Sequence, residues 1–316
     1  MKRVVLFFLL FTTILLSRDI SPQMEIKMQG NVMDIAIVND FLYAGTDGGT
    51  VEVYDIKNSK FVNIIKLEKI HDFMGDLMPP KVYSTDFING KILLLAEGEN
   101  GSRELYINEN NQTKKIITPK EKLTINKAKF IDETHVFLGL LSNEIILYDL
   151  SAKKPIYQKQ LSQSKFSDFA LNEKKNQAVI SCESGINYLV DVKTGDTIKE
   201  LKGGNKDNVF KVSFKKSKVS AGGQDRVGTV YDITTGSFIT FNAPFLIYAT
   251  GLSNDAKMVA FAFGVDNEIT IFDTDTKAKL YNLKGQKSTL NSIVFYDSNT
   301  IFSGSDDKFI MKWSLK

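Results

Sequence analysis

Seven apolar strands that each end on a turn-forming residue, spaced at a period in the low forties and each preceded by a companion strand, predict an all-β fold: a seven-bladed β-propeller. The strand ends read V-E-V-Y-D at Asp55, E-L-Y-I-N at Asn108, I-I-L-Y-D at Asp149, N-Y-L-V-D at Asp191, G-T-V-Y-D at Asp232, T-I-F-D at Asp273 and M-K-W-S at Ser314. The steps between them are 53, 41, 42, 41, 41 and 41 residues, the repeat length of a four-stranded propeller blade. Fourteen residues before five of the markers an apolar strand begins, at Phe41, His135, Gln177, Lys218 and Thr300; the offset is 15 at Met258 and 17 at Lys91.

Each repeat then has to supply two more strands. Residues 154–161, K-P-I-Y-Q-K-Q-L, alternate by twos after Asp149, and an earlier strand such as V-M-D-I-A-I-V, V-F-K-V-S-F or L-N-S-I-V-F precedes each central hairpin. Small residues mark the turns, as in A-G-T-D-G-G at 44–49 and A-G-G-Q-D-R at 221–226, where tight hairpins need positive φ or a side-chain oxygen against the backbone. The last marker lies two residues from the end of the sequence, so the final repeat is one strand short. Residues 24–29, M-E-I-K-M-Q, alternate like a strand but belong to no repeat. Pairing this N-terminal strand with the last blade is expected to close the ring and leave no open edge there.

Residues 1–17 read as a signal peptide: Lys2 and Arg3, an unbroken run over 4–16, then Ser17 as the small residue at the cut. Thirteen residues at 1.5 Å each fall short of a ~30 Å bilayer core, so no stable membrane insertion is expected. Residues 18–316 form the propeller and the expected location is periplasmic. Removing Lys2 and Arg3 takes the formal charge from +3 to +1, a poor match to nucleic acid or anionic lipid. The single cysteine, Cys182, has no partner for a disulfide and reads as a small buried strand residue.

Residues 302–314, F-S-G-S-D-D-K-F-I-M-K-W-S, resemble the second half of a WD40 repeat, and L-K-G at 201–203 and 283–285 resembles the segment before that family's histidine. Here Gly204 and Gln286 follow, so the family's buried histidine network is expected to be missing. Asp307, Asp225 and Asp266 match the family's turn aspartate, which implies structural capping. An exported, lysine-rich, single-cysteine propeller with this degenerate pattern also resembles the accessory propellers of bacterial periplasmic nitrate reductase systems. That resemblance implies an assembly, maturation or electron-pathway helper.

No catalytic motif emerges: there is no C-x-x-C-H, no paired cysteines for zinc, no P-loop and no G-x-S-x-G. His135 reads as a packed or edge residue. Asp34, Asp86 and Asp168 lie on inner strands and are expected to be solvated lining of the central channel, the alternative being carboxylates that hold a cation there. The expected function is therefore an exported, non-catalytic interaction module without cofactor or metal, whose partner is a periplasmic redox enzyme or its maturation factors. The alternatives are an outer-membrane assembly scaffold and a propeller enzyme such as a lactonase or quinone-dependent dehydrogenase. The first would be expected to carry a lipid-anchor cysteine, the second a cofactor or carboxylate-histidine set.

The surplus in the first step locates a candidate partner surface. From Asp55 to Lys91 is 36 residues where other repeats show 26 to 28, and the blade-to-blade connection emerges on the same face as the turn between a blade's two middle strands. Residues 68–80 should therefore lie beside 98–103, presenting Ile70, His71, Phe73, Met74, Leu77, Met78 and Arg103 to a protein partner. On another turn, E-N-N-Q-T at 109–113 matches the acidic-extended N-x-T acceptor of bacterial N-glycosylation, which makes Asn111 a candidate glycan site.

Overall fold

The computed structural model describes residues 17–316, so all but the last residue of the expected signal peptide lies outside the described residues. Seven blades, six of four hydrogen-bonded strands and one of five, form a β-propeller, with almost no helix among the described residues. In chain order, blade 1 is Val32–Val38, Phe41–Thr46, Thr50–Asp55 and Lys60–Lys66, running from the channel outwards. Blade 2 opens with Val82–Ile88, blade 3 with Ile125–Phe130, blade 4 with Phe166–Leu171, blade 5 with Val209–Lys215, blade 6 with Thr250–Leu252 and blade 7 with Leu290–Phe295. The second strands begin at Phe41, Lys91, His135, Gln177, Lys218, Met258 and Thr300, the positions the periodicity specifies.

Five of the seven markers, the aspartates, recur because each caps a turn. Asp149 accepts the backbone N–H groups of Ser151 and Ala152, Asp232 those of Thr234 and Thr235, and Asp273 those of Asp275 and Thr276. Asp55 and Asp191 do the same for Asn58 and Thr194. A carboxylate at the end of the third strand thus satisfies donors that the turn to the fourth leaves free.

Closure follows the expected scheme. Met24–Lys27 is the outermost strand of blade 7, antiparallel to Phe309–Ser314, with Ile26 opposite Ile310. Ile26 and Met28 are buried there against Val32, Leu42 and Phe302. A further strand was not legible in the sequence: Arg18–Ile20 pairs in parallel with Lys279–Leu283 and gives blade 6 a fifth strand.

Bulges shape both edges of the blades. In six inner strands the second residue is bulged out of the ladder: Met33, Tyr83, Asn126, Ser167, Phe210 and Asn291. Three of these reach the next blade, Ser167 donating to Asn208 Oδ1, Asn291 donating to the Val32 carbonyl and Phe210 stacking on Tyr248 at 5.0 Å. In five outer strands a second bulge turns out Val62, Ile116, Ile156, Ile198 and Leu280. Val62, Ile156 and Ile198 are among the exposed aliphatics for this reason, and the twist such bulges add blunts the edge against pairing with another chain.

A buried polar network takes the place of the missing histidine. Trp313 Nε1 donates to Ser303 Oγ at 2.8 Å, Ser303 donates to Gln286 Oε1 at 2.7 Å, and Gln286 Nε2 donates to Ser305 Oγ at 2.6 Å. All four residues are buried. A glutamine side chain can accept at Oε1 and donate at Nε2, so the network is present with Gln286 where the resemblance led one to expect only an absence. The turn aspartates act as caps at two of three positions: Asp225 accepts from Val227 and Lys206, and Asp307 accepts from Phe309.

Candidate protein-docking face

The connection from Lys60–Lys66 to Val82–Ile88 carries the longest departure from the repeat. Within it Ile70–His71 and Leu77–Met78 pair as a two-residue antiparallel ribbon, Ile70 opposite Met78 and His71 opposite Leu77. Asp72 builds the tip. Its Oδ1 accepts the N–H groups of Met74 (2.8 Å) and Asp76 (2.9 Å), while its backbone N–H donates to the Asp76 carbonyl. Gly75 sits at φ +87° with open space where a Cβ would stand, so its role is conformational.

This arrangement projects Phe73 and Met74 outwards, 79% and 87% exposed, with Leu77 at 56%. Two large apolar side chains on a turn held by three hydrogen bonds cannot be explained as core packing. Ile70 corrects the sequence expectation: it is only 8% exposed and turns inward beneath the ribbon, because the period of two puts it on the opposite face from its neighbour His71. Met78 is half-buried.

The second loop lies beside the first, as the topology requires. Its short 3-10 turn, Glu99–Gly101, brings Glu99 Oε1 to 3.4 Å from His71 Nδ1. A Cβ at Gly101 would come within 2.9 Å of Phe73 Cζ, so the ring rests on bare backbone, and φ +72° further favours glycine there. Arg103 lies over Tyr83, its guanidinium carbon 3.9 Å from the ring centroid, and donates to the Gly101 carbonyl at 3.3 Å. Arg103 is therefore a support for the loop as well as a rim cation. Asp72, Asp76 and Glu99 surround the apolar tip with carboxylates.

Asn111 is elsewhere. It shares a two-residue hairpin turn with Asn110, both at positive φ, between Arg103–Glu109 and Gln112–Ile117. Third-to-fourth-strand turns lie on the face opposite the loop, and Asn111 is exposed there, with Thr113 Oγ1 accepting from Asn108 Nδ2 at 2.9 Å.

The channel residues depart furthest from expectation. Asp34, Asp86 and Asp168 are buried rather than solvated, and each accepts a backbone N–H from the next blade's inner strand: Thr85 (3.0 Å), Phe130 (2.8 Å) and Val212 (3.1 Å). An innermost strand has no neighbour on its channel side, so its N–H groups there need another acceptor; the carboxylates provide it and tie blade to blade. Lys129 pairs with Asp34 at 3.2 Å, and Lys127 with Asp168 at 2.6 Å. Burial acts to raise the Asp34 pKa, but Lys129, Lys127 and Lys211 outweigh it and hold the carboxyl below its usual range. Burial pushes the Lys127 ammonium down, with Asp168 opposing and Lys211 and Lys129 adding to the fall.

His135 stands at the start of its strand and meets Asp132 at 2.9 Å, an edge contact. Cys182 is buried in Gln177–Cys182, its Sγ 3.1 Å from Ser184 Oγ. Among the described residues no group of three or more His, Cys, Asp or Glu side chains is placed to hold a metal, and no helix is long and apolar enough to cross a membrane. No family model matches the chain, and no curated protein matches it. A β-propeller with an exposed apolar loop is an architecture suited to a protein-interaction or scaffold module.

Proposed function

We propose that the chain is an exported, non-catalytic interaction module that docks a protein partner through the tip of the 68–80 loop. The observation that carries the reading is the Phe73–Met74 pair, exposed at 79% and 87% on a turn that Asp72 holds in shape. Pre-ordered loops lose little conformational entropy on binding, and exposed aromatic and methionine side chains are common anchor material. Asp72, Asp76 and Glu99 around the tip favour a partner whose apolar pocket has a basic rim.

The partner we propose is a periplasmic redox enzyme or a factor that matures it. The support is the resemblance of the chain to NapL, the accessory propeller of bacterial periplasmic nitrate reductase systems, together with the apolar leader at 4–16. In this reading the propeller positions its partner and takes no part in the chemistry. A photo-reactive residue at position 74, introduced in the native host, should cross-link to such an enzyme, while the same residue at position 111, on the opposite face, should not. Equal capture at both positions, or none at 74, would remove the loop from the interface.

A further inference from the structure

The central channel holds a cavity whose lining differs chemically from the 68–80 loop. On Val209–Lys215 the bulge at Phe210 leaves Lys211, Ser213 and Lys215 at alternate positions, and so on one face of the strand. All three line a cavity of about 360 Å³ within the channel. Asn39 and Asn254, from the turns that follow the inner strands of blades 1 and 6, line it too. The cavity therefore opens on the face opposite Phe73.

Its charges are not balanced. Lys127, Lys211 and Lys215 face Asp34 and Asp168, leaving the lining one positive charge in excess. Both carboxylates are already engaged, Asp34 by Lys129 and the Thr85 N–H, Asp168 by Lys127 and the Val212 N–H. Lys211 and Lys215 make no ion pair among the described residues, whereas Lys127 and Lys129 both do. Ser213 Oγ accepts the Leu252 N–H at 3.2 Å, which leaves its own proton free to be donated. Lys127 uses one of its three ammonium hydrogens on Asp168 and has others to give.

We propose that the channel binds a small oxyanion, a phosphate or a carboxylate, between the ammonium groups of Lys211 and Lys127, with the Ser213 hydroxyl as a third donor. Lys215 stands nearer the mouth and adds to the attraction along the path inward. Two ammonium groups and a hydroxyl in a partly enclosed space are a donor set that fits an oxyanion and repels a cation. An anion there would also offset the mutual repulsion of Lys127 and Lys211, which line the same cavity.

Thermal unfolding of the full chain, with inorganic phosphate or succinate titrated at an ionic strength held constant with chloride, tests this. At saturation at least one of the two should raise the midpoint by about 3 °C or more. Lys211→Met should weaken the apparent affinity by about tenfold or more, and Lys215→Met by less. Lys60→Met, at an exposed lysine of an outer strand, should respond like wild type. Should Lys211→Met fail to fold, Lys215→Met and the wild-type titration still decide the matter. An unchanged midpoint with both anions, or equal responses from wild type and both channel variants, would overturn the proposal.

Discussion

Asp34 is 6% exposed with a full negative charge, and Met74, which carries none, is 87% exposed. The two sites sit in one molecule and follow opposite rules, because the constraint on each differs. At the channel the constraint is the open inner edge of seven sheets, whose backbone donors need acceptors that no further strand supplies. In three of them Asp34, Asp86 and Asp168 answer it, and Lys129 and Lys127 offset the charge that results. At the 68–80 loop no such demand exists: Asp72 satisfies the turn's own donors, and Phe73 and Met74 stay largely uncovered, with Gly101 beneath the Phe73 ring. Buried charge here is architecture, and exposed apolar surface is the part the fold leaves uncovered, which the proposed partner would cover.

The largest effect should come from the ring. Deleting residues 24–29 removes the outer strand of blade 7 together with buried Ile26 and Met28, and should cost about 5 kcal/mol or more. Chemical denaturation reads this directly, and an unchanged midpoint would show that closure does not depend on the strand.

Breaking one buried pair should come next. Asp34→Ala leaves Lys129 without its carboxylate and the Thr85 N–H without its acceptor, at a cost of about 3 kcal/mol. The same carboxyl predicts the pH response. Its pKa is lowered by folding, so its contribution is present above the unfolded carboxylate value of about 4 and is lost as pH falls through that value towards the folded one. Acid titration of the Asp34→Ala variant should show a shallower fall in stability below about pH 4 than wild type. Equal slopes would mean that the ring's charge is not what acid removes.

Asn111 should have the smallest effect on the comparison, since it lies on neither site. Protein from a host with the transferase should carry a glycan there, seen as added intact mass that Asn111→Gln abolishes, with partner affinity unchanged. Unmodified mass from such a host would remove the site.

How much of this was legible follows from which signals survive in a one-dimensional pattern. The blade boundaries were, because a carboxylate at a strand end is both a residue type and a turn cap, repeated at Asp55, Asp149, Asp191, Asp232 and Asp273. The insertion was legible as surplus length. Its inner detail was only partly so: the short ribbon sends Ile70 inward, and two residues per strand are too few to show alternation. Inner-strand aspartates look alike whether they face solvent or the next blade's N–H groups, so the clamps at Asp34, Asp86 and Asp168 could not be told from channel lining. Gln286 was not legible because the resembled pattern has a histidine there, and an amide can fill the same place between Ser303 and Ser305. The three-residue pairing of Arg18–Ile20 leaves no periodic trace.

The division between ring and loop is tested most directly by one variant measured two ways. Phe73→Ser with Met74→Ser should weaken binding to the cross-linked partner by about 1 to 3 kcal/mol and move the thermal midpoint by less than about 2 °C, since neither side chain is buried in the chain itself. A marked fall in midpoint with affinity intact would contradict the account, placing the loop among the elements that hold the ring together.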